Sequence, residues 1–173
     1  NATVYPVGTP DFEMELISLG ISVSHTDADI VLLGFDTTLT YEKIRHATKL
    51  IRNGAHFFAT HGDVFCPTED GFIPDIGTII PLFEKATNRS PVIIGKPNRP
   101  IIDSAVSRLK LTPESLGMIG DRLYTDIQMA KKFDMTSILV LSGETTMFDL
   151  PSSNLNPDYV VPSVRELIPF FVM

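Results

Sequence analysis

Short apolar runs alternate with amphipathic stretches along the whole chain. TVYPVG at 3–8 reads as a strand, and PDFEMELISLG at 10–20 as a short helix opened by Pro10 and Asp11 and stopped by Gly20. DIVLLGF at 29–35 is a buried-type strand. In TYEKIRHATKLIRNGA, residues 40–55, Ile44, Ala47, Leu50 and Ile51 recur at helical spacing and Gly54 suits the stop. HFFAT at 56–60 returns to strand.

The segment HGDVFCPTEDGFIPDIG at 61–77 is punctuated by Gly and Pro, which predicts a loop or hairpin able to present side chains. TIIPLFEKATN at 78–88 is helical, with Pro81 in a first turn or at a kink. Beyond it, PVIIGKP, SLGMIGD, TSILVLSG and DYVV read as strands. PIIDSAVSRLKL, TDIQMAKKFD and SVRELIPFF read as helices. Strands that alternate with helices predict an α/β fold with parallel sheets.

Parallel sheets carry their reactive groups just beyond the carboxyl ends of the strands. That rule selects Lys96 after VIIG, Asp121 after MIG, and Gly143–Glu144 after ILVLS. Asp121 follows a glycine, so its carboxylate can lie open to a ligand. Asp126 opens the next helix, with Thr125 as its N-cap; complementing the helix dipole is the competing role for Asp126. Two carboxylates without His or Cys ligands suit magnesium better than zinc. An ammonium at Lys96 could neutralise a phosphoryl group beside them.

Composition narrows the partners. The net charge is −7 over 173 residues, which opposes nonspecific binding to nucleic acid or anionic membrane. No apolar run approaches the ~20 residues that span a bilayer, and the N-terminal residues lack the pattern of a signal peptide. Cys66 is the single cysteine, so an intrachain disulfide and a thiolate metal cluster are excluded, and a cytoplasmic location is expected.

The motifs VYPVGTPDFEMEL, IVLLGFDTTLTYEKI, LIRNGAHFFAT, PTEDGFIPDIG, VIIGKP, GDRLYTDI and ILVLSGET together resemble the haloacid dehalogenase-like (HAD) hydrolases, in the NagD-like or p-nitrophenylphosphatase branch. The resemblance implies a Rossmannoid parallel-sheet core with an α/β type-2 cap: cap at 3–90, later half of the core at 91–173. It implies a Mg2+-dependent phosphatase acting on small phosphorylated metabolites. Lys96 would be the phosphate-neutralising lysine, Asp121 the metal ligand, and Asp126 a second acid acting on the metal's waters or on Lys96. His61 and Asp63 stand where the branch often reads ATNPD, and with Lys96 they are the expected substrate-binding residues. The PDIG at 74–77 departs from the commoner PGAG and leaves the start of the next helix open.

One part of the pattern is missing. The family attacks phosphate with the first aspartate of an early DxDG motif. Here DAD at 27–29 precedes a strand and lacks the glycine, and Asp36 in LLGFDTTLT has Thr38 where the acid/base should be. No nucleophile is assigned. The expectation is an N-terminally truncated phosphatase that is inactive alone. The alternatives are a noncatalytic oligomerising remnant, or a half that complements a separate N-terminal chain. A homo-oligomer is expected through the cap or through the strand edge that SLGMIGD would expose.

Overall fold

The computed structural model describes residues 2–171. It divides into two compact units, 1–95 and 96–173. The α/β class read from the sequence is what the chain adopts.

The first unit is built on a five-stranded, all-parallel sheet in the order β2-β1-β3-β4-β7. Its strands are β1 (Thr3–Val7), β2 (Ser22–Val23), β3 (Ile30–Leu33), β4 (His56–Ala59) and β7 (Val92–Ile93). The helices are α1 (Pro10–Ser18), α2 (Tyr41–Arg52) and α3 (Ile76–Thr87), and β5 (Phe65–Thr68) with β6 (Gly71–Pro74) forms an antiparallel hairpin. Thr9 and Thr40 cap α1 and α2 by accepting the amides of Phe12 and Lys43. Strand residues Val7, Val31, Leu33, Phe57 and Ala59 pack with Ala47, Leu50 and Ile51 of α2 and with Ile76, Ile80 and Phe83 of α3. Pro81 sits inside α3, well past its first turn, because α3 begins at Ile76 under the cap of Asp75.

Val92 and Ile93 of the segment PVIIGKP pair with Phe58 and Ala59, so this strand belongs with the sheet of the first unit.

The second unit carries a three-stranded parallel sheet, β10-β9-β8. Its strands are β8 (Gly117–Gly120), β9 (Thr136–Val140) and β10 (Tyr159–Val161). Its helices are α4 (Arg99–Leu109), α5 (Gln128–Lys132) and α6 (Ile168–Phe171). Ile102 of α4, Met129 and Ala130 of α5, and Met135 form the buried centre, with Met118 of β8 packed against them. β8 lies at the sheet edge, and its Ile119 is 37% exposed. SVRELIPFF is a 3-10 turn running into α6, opened by a capping box between Ser163 and Glu166.

Asp158 pins β10 to β9. It accepts Lys131 Nζ at 2.6 Å, and the amide and hydroxyl of fully buried Ser137 at 2.8 and 2.7 Å. The Lys131 contact, then the Ser137 donors, hold its carboxyl well below the ordinary 3.8. A carboxylate depressed on folding adds stability that is complete above its unfolded value and is lost as pH falls through the folded one. Acid unfolding of the second unit should therefore steepen below pH 3.8, and Asp158→Ala should flatten that dependence. At neutral pH the variant should lose about 1–3 kcal/mol, since buried Ser137 donors lose their acceptor. Urea melts across that pH range check both.

Candidate cation and phosphoryl site

Parallel pairing of β8 with β9 matches Gly120 to Leu139, so the chain leaving both strands emerges at the same edge of the second unit. Asp121 is the first residue beyond β8. Its Oδ2 accepts the Glu144 amide at 2.8 Å, and its carbonyl accepts the Thr145 amide at 3.1 Å. Gly143 makes this approach possible: a Cβ there would run into the Asp121 carboxylate. Among the described contacts, Asp121 Oδ1 takes no donor.

Asp126 is the buried member, its side chain 3% exposed. Its Oδ1 accepts Lys96 Nζ at 2.6 Å and its Oδ2 accepts the Arg122 amide at 3.2 Å. Gly120 clears the space, because a Cβ at that position would overlap the Asp126 carboxylate. Lys96 stands just before α4, its side chain 38% exposed, so the ammonium is anchored on one side and open on the other.

The local helix differs from the sequence expectation. Thr125 is not an N-cap; a π-helical turn, Leu123–Ile127, starts earlier and runs into α5. The Arg122 carbonyl accepts the amides of both Asp126 and Ile127, which widens the turn and aims Asp126 back at Lys96. Thr125 is buried, and its hydroxyl has no hydrogen-bond partner among the described residues. Such π turns concentrate at functional sites.

His61 and Asp63 belong to the first unit. His61 Nδ1 lies 3.8 Å from Asp63 Oδ2, and its Nε2 lies 3.8 Å from Asp75 Oδ1. Asp75 is buried and caps α3 through the Ile76 amide at 2.6 Å. The sequence reading missed Asp75 as a neighbour of His61; its only signal was the aspartate in PDIG. It also missed Arg122 and Tyr124, whose side chains meet Glu144.

Two aspartates of the rejected motifs, Asp36 and Asp29, have structural duties. Asp36 has a side chain of 0% exposure, and it accepts Lys43 Nζ together with the Thr38 amide and hydroxyl. Asp29 accepts the amide and hydroxyl of Thr3. Asp36, saturated by three donors and closed to solvent, is in no position to attack a substrate.

No three His, Cys, Asp or Glu side chains gather as a ligand set among the described residues. A cation held at Asp121 would therefore take most of its shell from water and from a phosphate. Magnesium tolerates that donor set, and zinc does not.

Known proteins fit this arrangement. A family model described as "HAD-hyrolase-like" matches residues 93–167. An acid sugar phosphatase of Staphylococcus saprophyticus is 35% identical over 97% of this chain and 65% of its own length. A 4-nitrophenylphosphatase structure from Thermotoga maritima is 39% identical, with a TM-score of 0.92, over 98% of this chain and 65% of that one. A p-nitrophenyl phosphatase from Archaeoglobus fulgidus is 30% identical, with a TM-score of 0.91, over 98% and 67%. The chain spans just under two thirds of the staphylococcal relative. Similarity that runs the length of the chain, through both units, makes it a member of the HAD-like hydrolases, in the NagD-like p-nitrophenylphosphatase branch.

Proposed function

We propose that this chain supplies the lysine and the metal-holding carboxylate of a Mg2+-dependent phosphatase for small phosphorylated metabolites. The observation that carries the reading is the 2.6 Å pair of Lys96 with buried Asp126, on the π turn that follows the strand end bearing Asp121. Asp126 holds the Lys96 ammonium where it can neutralise phosphoryl oxygens. Asp121 is the residue that would hold Mg2+, and that ion would supply charge stabilisation for the phosphoryl group. In this reading the first unit is the type-2 cap, and the second the later half of the core. His61 and Asp63 recognise the part of the substrate that varies between metabolites.

This reading draws its attacking carboxylate from a separate segment, because Asp36 is committed to a structural contact with Lys43 and the DAD at 27–29 precedes its strand and lacks the motif's glycine. The chain alone should hydrolyse p-nitrophenyl phosphate no faster than buffer. Mixed with a polypeptide carrying the family's opening strands and DxDG motif, it should turn the substrate over. Asp121→Ala should then lower that rate by about 10²–10³-fold, the usual cost of losing transition-state charge stabilisation. Robust hydrolysis by the unaided chain would overturn the reading.

A noncatalytic, oligomerising protein is the second reading, favoured by the open edge of β8. It predicts no recovered turnover, and a dimer whose population rises with concentration. Neither reading calls for membrane insertion: among the described residues no helix is long and apolar enough to cross a bilayer. With its single Cys66, a cytoplasmic setting is the one we propose.

A further inference from the structure

Arg122 touches Asp126 and Glu144 at once. Its amide donates to Asp126 Oδ2 at 3.2 Å. Its Nε donates to Glu144 Oε2 at 2.8 Å, and the Tyr124 hydroxyl approaches the same oxygen at 3.4 Å. Glu144 in turn gives its own amide to Asp121 Oδ2. The Arg122 side chain is only 16% exposed, so the ion pair is partly shielded from water.

We infer that Arg122 and the Glu144 carboxylate are positioning residues that set the geometry of Asp121 as a cation ligand. The inference rests on the assignment of Asp121 as the metal-holding residue. The physical reason is a chain of short contacts. The loop at 143–145 is held on Asp121 by two amides, those of Glu144 and Thr145. It has no Cβ at Gly143 to wedge it away. What ties its side-chain end down is the contact of Glu144 with Arg122 and Tyr124. With the tether in place, Asp121 Oδ2 stays occupied by an amide and Oδ1 is presented to the ion in one orientation. Without it, the Glu144 amide drifts, the carboxylate can rotate, and a single-carboxylate site loses its preorganisation. Residues that orient a metal ligand from behind typically contribute 10–100-fold to affinity.

The test uses the 173-residue chain and two measurements. One is Mn2+ affinity by water-proton relaxation; the other, made without metal, is hydrogen exchange at the Glu144 amide. Arg122→Gln should weaken Mn2+ binding about tenfold and speed Glu144 exchange while the circular dichroism spectrum is kept. Arg122→Lys should recover part of the affinity, since an ammonium can reach the carboxylate but lacks the fixed fork of a guanidinium. Glu144→Gln repeats the test from the other partner should Arg122→Gln fail to fold. Unchanged affinity and unchanged exchange in the folded variants would overturn the inference while leaving Asp121 as the ligand. A wild-type chain that binds no Mn2+ would overturn the cation assignment itself, and this inference with it.

Discussion

Replacing Lys43 with methionine should destabilise the first unit by about 3–5 kcal/mol, the cost of leaving a buried charge without its partner. The Asp36 side chain is wholly enclosed, and among the described residues Lys43 supplies its one cationic contact, at 2.7 Å. The same ammonium donates to the Gly8 carbonyl at 2.8 Å and to the Thr38 hydroxyl at 3.0 Å. One side chain from the first turn of α2 therefore ties together the ends of β1 and β3. Methionine preserves the apolar stem but leaves Asp36 with the Thr38 donors alone. The double variant Asp36→Asn, Lys43→Met should recover part of the loss, because no charge is then stranded. Urea unfolding measures both. A loss under about 1 kcal/mol, the range of exposed pairs, would mean that Asp36 is not the structural clamp described, and would reopen it as a chemical residue.

Under the proposed function, the second large effect belongs to Lys96→Met, measured on the chain complemented with a polypeptide that carries the family's opening strands. Turnover of p-nitrophenyl phosphate should fall about 10²–10³-fold. Two consequences combine: the phosphoryl group loses its neutralising ammonium, and Asp126, 3% exposed, loses the cation at 2.6 Å that balances it. The second unit should also lose stability, toward the lower end of the ~3–5 kcal/mol for a broken buried pair, because Lys96 itself is partly hydrated. Lys96→Arg should rescue stability better than rate, since the planar guanidinium pairs with a carboxylate but places its charge differently from a compact ammonium. Equal rates for Lys96→Met and wild type would show that the pair is structural only.

Much of the fold is visible in the residue pattern because its signals are local. The alternation of Val31 and Leu33, and the helical spacing of Ala47, Leu50 and Ile51, mark the surfaces that end up buried. Features that depend on partners distant in sequence are not visible. β2 is two residues long and exists because Ser22 and Val23 pair with β1. That Val92 and Ile93 join the first sheet shows only once β4 is found to be their neighbour.

The same distinction applies to the site. The strand-end rule selects Lys96, Asp121 and Gly143–Glu144 from sequence alone, since a glycine after an apolar run is a local sign. The link from Arg122 to Glu144 spans 22 positions and becomes legible only through the β8–β9 register. Thr125 looks like a cap because threonine before aspartate usually is one. The Arg122 carbonyl, accepting two amides, shifts the helix start past that rule.

The most direct measurement is a Mn2+ titration of the wild-type chain beside Asp121→Asn, followed by water-proton relaxation. Saturable binding that weakens by well over tenfold in the variant is the predicted result, given that even residues behind a ligand contribute that much. Identical titration curves for the two proteins would contradict the placement of the cation on Asp121.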